Sequence, residues 1–198
     1  MSSLLGHLSK GLAFIISAPA GTGKTTLVQM LTHEIPRVIA SVSFTTRPPR
    51  AGEIPGVHYH FINEEEFLRR IDTGDFLEYV QLYGTYYGTS RSWVEEEQQK
   101  GNHVLLVIDT QGAMQLRGKF KSISIFIRPP SLEELKSRLM ARKTEGLEEI
   151  QTRLQWAQNE LLSIPYYDYQ IINDDLAVAY QTLRSILIAE SHRVHPIQ

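Results

Sequence analysis

Cysteine is absent from the 198 residues. Its absence excludes a disulfide framework, a thiolate metal site and a cysteine nucleophile, and suits a reducing, cytoplasmic location. A surplus of one charge is missing too: 20 Lys and Arg against 22 Asp and Glu leave a formal charge of −2. Nucleic-acid binding leans on a basic surface, so a small partner is expected instead. No apolar run approaches the ~20 residues that span a bilayer. The start, Met1 to Lys10, lacks a basic segment followed by an apolar core, so neither membrane nor secretion is expected. Internal repeats and low-complexity linkers are also lacking. With 42% hydrophobic residues the chain can bury a sizeable core, and its length suits a single domain with no obligate protein partner evident.

What is present begins with Ala18-Pro19-Ala20-Gly21-Thr22-Gly23-Lys24-Thr25, followed by Thr26. An apolar run, Leu12 to Ile16, reads as a buried strand before it, and Leu27, Val28 and Leu31 mark a helix after it. Glycines between a strand and a helix let several N–H groups converge at a helix N-terminus, where the dipole favours an anion. Polyphosphate suits such a nest, with Lys24 on the outer phosphates and the Thr25 hydroxyl on a bridging Mg2+. Ala18 stands where the general pattern has glycine.

After a strand expected over Val38 to Phe44, Arg47-Pro48-Pro49-Arg50 reads as a stiff extended loop whose geometry would set both guanidiniums on one side. Val57 to Ile62 alternates as a strand, Asn63 and Glu66 form a capping signature, and Phe76 to Leu82 reads as a strand. This block lacks a βα rhythm. The rhythm resumes with a helix from Ser90 and an unbroken apolar run, His103 to Ile108, typical of a parallel strand covered on both faces. Asp109 ends that run, where it can cap the next turn or orient metal-bound water. His58 and His60 share a strand face but have no third ligand in view, so they read as surface or packing. Ser131 and Glu134 open a helix that turns Leu132, Leu135 and Leu139 inward and Arg138 and Arg142 outward. Arg153 lies on the next helix, Tyr169 to Ile172 is the last strand, and Leu176 to Ala189 is the closing helix. The fold expected is α/β: a P-loop parallel sheet covered by helices, over about 11–42, 90–141 and 150–190, with an inserted small nucleotide-binding lobe at about 43–89 and a short lid at about 142–149.

From about Leu12 to Ala189 the set resembles the guanylate kinase family of nucleoside monophosphate kinases. Carrying the resemblance are the loop at 18–25, S-V-S-F-T-T-R-P-P-R-A-G-E at 41–53, F-L-E-Y at 76–79, Y-Y-G-T-S at 86–90, I-D-T-Q-G at 108–112, P-P-S at 129–131 and I-N-D-D at 172–175. It implies transfer of the γ-phosphate of ATP to GMP, and to dGMP, with Mg2+. Ser43 and Glu78 would read guanine, whose O6 accepts and whose N1–H and N2–H2 donate. Thr89 falls near the base, Arg47, Arg50, Tyr59 and Tyr87 on the acceptor phosphate, and Asp109 with the acceptor site. Ala18 to Thr26 and Asn173 would hold ATP, while Lys24, Arg47, Arg138, Arg142 and Arg153 would stabilise the transferring group. Three departures stand out: Val107 replaces the first acid of the family's Asp-x-Asp, Ala20 replaces a common serine, and Lys143 replaces a common glycine. Two alternatives share parts of the pattern. A ribose bisphosphate kinase would use the donor loop but not Ser43 and Glu78, and a phosphopeptide-binding module would not need Lys24 and the lid arginines.

Overall fold

The computed structural model describes residues 4–6, 8–82, 84–141 and 146–194. Its main sheet takes β2 (Val38–Ala40), β7 (His103–Val107), β1 (Ala13–Ser17), β8 (Ile123–Arg128) and β9 (Tyr169–Ile172) in that spatial order, all parallel. Parallel neighbours require crossovers, and here helices cover both faces. Alternation along β1 divides the core. Phe14 and Ile16 pack with Leu27 and Leu31 of α1 (Lys24–Glu34) and with Leu183 and Leu187 of α7 (Leu176–Ser191). Ile15 turns to the opposite face, with Val94 of α3 (Arg91–Gln99) and Ala113 and Leu116 of α4 (Thr110–Leu116). Glu34 ties α1 to α7 by accepting from Tyr180 and from Arg184 Nε at 2.7 Å.

A second sheet has the order β4 (His60–Phe61), β3 (Phe44–Thr45), β6 (Thr85–Ser90) and β5 (Phe76–Leu82). The expected strand over Val38 to Phe44 is therefore two strands in two sheets. Ser41 makes the break: its N–H and hydroxyl both donate to Leu105 O, at 2.9 and 3.3 Å, and the chain leaves β7 there. The strand expected over Val57 to Ile62 shortens to His60–Phe61. Ahead of it is a turn in which the Ile54 N–H donates to His58 Nδ1 at 3.0 Å, and His60 stacks on Phe44. Neither histidine is near a metal-binding group among the described residues.

One face of the second sheet carries Phe44, Phe76, Tyr86 and Gly88, covered by Phe67 from α2 (Glu64–Asp72). The phenylalanine rings lie so close that a Cβ on Gly88 would come within 3.0 Å of Phe67 and Phe76. Asn63 caps α2 by accepting from Glu66 N at 2.8 Å, as the sequence signature predicts. The opposite face is left for function.

α5 (Leu132–Ala141) and α6 (Leu147–Leu161) form a third layer around Leu135, Leu139, Ile150 and Ala157. Among the described residues no helix is long and apolar enough to cross a membrane.

Buried His103 provides a test of this core. Its Nδ1 accepts the Leu12 N–H at 3.0 Å, and burial, helped by Arg37, pushes its pKa down to about 4. The unfolded chain binds a proton here from about pH 6.5 downward and the folded one does not, so stability from this residue falls as pH drops from 6.5 to 4, by up to about 3 kcal/mol. Glu78 and Glu160, whose pKa values are raised, act with the opposite sign. The His103→Asn variant keeps an acceptor for Leu12 but does not titrate. Urea unfolding across this pH range should show a slope that differs from wild type by one proton.

Candidate active site

The chain leaves β1 and reverses through Gly21 and Gly23, both left-handed with φ of 91° and 95°. Sterics require glycine twice over. A Cβ on Gly21 would press Leu139 of α5 at 2.8 Å, and one on Gly23 would meet Asn173 Nδ2 at 2.6 Å. Helix α1 starts at Lys24 with no side chain capping its first N–H groups, so these donors are open to an anion. The Thr22 hydroxyl is buried with no partner among the described residues. Asn173 is itself buried, and its Nδ2 donates to Thr22 O at 2.7 Å while its backbone carbonyl accepts from Arg138 Nη1 at 2.9 Å. Asn173 thus fastens the loop to β9 and to α5.

Lys24 lies between acids. Burial lowers its pKa, opposed by the charges of Glu160 and Asp109. Asp109 caps α4, accepting from Gly112 N at 2.8 Å. Its carboxyl pKa is raised by burial, against the hydrogen bonds of Gly112 and the charge of Lys24. Glu160 is pushed up to about 7 by burial. Val107 supplies no acid, so the second carboxylate in reach of Lys24 and Asp109 comes from α6 instead. Its signal in the sequence was helical spacing: Arg153, Ala157 and Glu160 fall at i, i+4 and i+7, one face of α6, and Ala157 is buried.

The second sheet presents its other group by register. Phe44 pairs with Gly88, so Ser43, one residue earlier, comes level with Thr89, and Thr89 pairs with Glu78. Three polar side chains thereby form a row across three strands. Glu78 is 4% exposed, and its Oε1 accepts from Thr89 Oγ1 at 2.6 Å. Burial raises its pKa to about 7, against the Thr89 hydrogen bond and with the Asp109 charge adding to the rise. Its other oxygen has no hydrogen bond among the described residues and faces α4, where a Cβ on Gly112 would collide with it. Gln115 closes the joint, donating to Tyr79 O at 2.7 Å and accepting from Tyr79 N at 3.3 Å.

Two residues along β6, Tyr87 lies edge to face with Tyr59, ring centroids 6.0 Å apart. Arg47 sits over the Tyr59 ring at 5.5 Å. Instead of pointing alongside the exposed Arg50, its guanidinium folds back onto Glu53, with Nη2 2.7 and 2.9 Å from the two carboxylate oxygens. The sequence pattern gives Glu53 no role, because only the turn at Gly52 brings it back to the arginines. Of the other arginines, Arg138 Nε donates to Glu134 at 2.8 Å and Arg153 pairs with Glu149 at 3.1 Å. Arg142 and the first half of the expected lid, 142–145, lie outside the described residues.

The fold that carries the glycine turn and, on a second sheet, the buried carboxylate is shared with known proteins. The guanylate kinase family model matches residues 10–190. The chain belongs to the guanylate kinase family. It is 63% identical over 189 residues to a guanylate kinase of Protochlamydia amoebophila, covering 96% of each, and 51% identical over 181 residues to one of Chlamydia felis, covering 91% of this chain and 89% of that one. The crystal structure of guanylate kinase from Anaplasma phagocytophilum superposes with a TM-score of 0.76 at 35% identity, over 93% of this chain and 88% of that one.

Gly112 is where the two ends of this guanylate kinase-type site touch. Gly112→Ala gains helix propensity of up to about 1 kcal/mol, but its methyl must displace the Glu78 carboxylate. Side-chain carboxyl titration by NMR should find Glu78 near pH 7 in wild type and closer to the ordinary carboxylate range in the variant. An unchanged midpoint would mean that this contact does not hold Glu78 in place.

Proposed function

We propose that this chain catalyses ATP + GMP ⇌ ADP + GDP, with dGMP as a further acceptor. The observation that carries the reading is the Ser43–Thr89–Glu78 row, whose buried carboxylate is joined through α4 to the phosphate loop. Guanine would donate N1–H and N2–H2 to Glu78 and accept at O6 from Ser43. Adenine has an acceptor at N1, which would leave Glu78 unpaired and buried, a large selective penalty. Arg47, Arg50, Tyr59 and Tyr87 take the acceptor phosphate. Ala18 to Thr26 cradle the donor triphosphate, with Asn173 beside the nucleotide and holding the loop.

Phosphoryl transfer breaks the bond from the γ-phosphorus to the ADP oxygen and makes one to a GMP phosphate oxygen; positioning and positive charge supply most of the acceleration. The Lys24 ammonium, whose charge Asp109 and Glu160 favour against the effect of burial, follows the outer phosphates. Arg138 leaves Glu134 and the Asn173 carbonyl, and Arg153 leaves Glu149, to reach the transferring group together with Arg142. Mg2+ fits the residues at hand. Thr25 is exposed with a hydroxyl that makes no hydrogen bond among the described residues, and Asp109 lies within electrostatic reach of the neighbouring Lys24, but no group of three acids or histidines forms a cage among those residues. A site of that kind suits an ion that keeps its waters and is held largely by substrate phosphates. When bound it would neutralise charge developing on the phosphate oxygens.

A coupled ADP-release assay with an acceptor panel tests the reading. GMP should turn over, with AMP and UMP at least about a hundredfold poorer; equal turnover of all three, or none with GMP, overturns it. Glu78 must be ionised to accept from guanine but is protonated below about pH 7 in the empty protein. KM for GMP should therefore rise as pH falls from 7, approaching about tenfold per unit. In Glu78→Gln the KM should be high throughout, with only the slope that the nucleotide's own phosphate imposes.

A further inference from the structure

The loop between β3 and β4 contains a carboxylate in an unexpected place. Two arginines held for a phosphate would bind it best with no competing anion, yet Glu53 lies against Arg47 with both oxygens. Both side chains are mostly buried, at 14% and 18% exposure. Two readings are open on chemistry alone: the carboxylate imitates the phosphate and must be expelled, or it is a fixed part of the cradle.

The backbone decides between them. Glu53 Oε2 also accepts the Arg50 N–H at 2.8 Å, and the Glu53 N–H donates to the Arg50 carbonyl at 3.0 Å. Gly52, left-handed at φ 84° with open space around its α-carbon, lets the chain reverse for this closure. The carboxylate is thus fastened to its own turn, and expelling it would cost the turn its bond to the Arg50 N–H as well as the ion pair. It ties Arg47 by its side chain and Arg50 by its backbone. The Arg47 Nη1 donates to Pro48 O at 2.7 Å, and Tyr59, Phe61 and the Tyr87 hydroxyl surround the guanidinium. Arg47 gains one orientation out of its many rotamers before any ligand binds, which removes an ordering cost from binding.

We propose that Glu53 is a positioning residue for acceptor binding: it holds Arg47 and Arg50 in the arrangement that takes the phosphate of GMP. This rests on the reading that GMP is the acceptor. Glu53→Gln leaves the loop's shape and raises its positive charge by one, so the two readings predict opposite signs. A positioning role predicts that KM for GMP rises about tenfold or more while kcat at saturation changes less than about threefold, and that calorimetric affinity for guanosine, which has no phosphate, is unchanged. Gly52→Ala, strained at its positive φ, should shift KM the same way. A KM for GMP in Glu53→Gln that is unchanged or lower overturns the proposal, and so does a loss of guanosine binding equal to that of GMP, which would mean the whole sheet had collapsed. If wild type binds neither GMP nor guanosine, the reading of the acceptor fails, and the proposal with it. If wild type binds GMP and the variant binds it as well, only the proposal fails.

Discussion

The packing of Glu78 against the first turn of α4, so close that Gly112 has no room for a Cβ, joins the second sheet to the main one, together with the hydrogen bonds of Gln115 to the Tyr79 backbone. The first turn of α4 is held by Asp109, which ends the central part of the main sheet and lies within electrostatic reach of Lys24. The same turn carries Gly112 against Glu78. One short helix therefore links the glycine turn, through Asp109, to the buried carboxylate. A residue larger than glycine would force the acid outward, and a longer cap would shift the turn.

The charges around Lys24 follow from this geometry. A lone ammonium in a half-buried turn would tend to lose its proton, but Asp109 and Glu160 oppose that tendency. The acids suffer in turn: crowded and buried, their own pKa values rise. The site is thus a set of groups held partly against their preference, with burial opposing the charge of Lys24 and of both acids. Arg138 is similarly committed, to Glu134 and to the carbonyl of Asn173. Residue Asn173 restrains the loop and also occupies the arginine.

Contiguous features were legible in the sequence. The buried strand and the helix on either side of the glycine turn, and the Asn63 cap, depend on neighbours along the chain, where spacing is the signal. The row Ser43, Thr89 and Glu78 is different in kind, because its members meet through strand register across three segments, and the family resemblance pointed to them before any local pattern did. Glu160 is silent in the sequence because an acid on a helix reads as solvated until the inner face is identified. Glu53 is silent because its partner is reached through a reversal at Gly52. The segment from Val38 to Phe44 reads as one strand because nothing local says that Ser41 hands the chain from one sheet to another.

Burial of Glu78 has a consequence for the solvent. With its pKa near 7, the empty protein holds a proton there through much of the mildly acidic range, and any ligand that needs the anion must expel it. Association then carries a proton stoichiometry, approaching one below pH 7, so the apparent binding enthalpy depends on the ionisation heat of whichever buffer receives that proton.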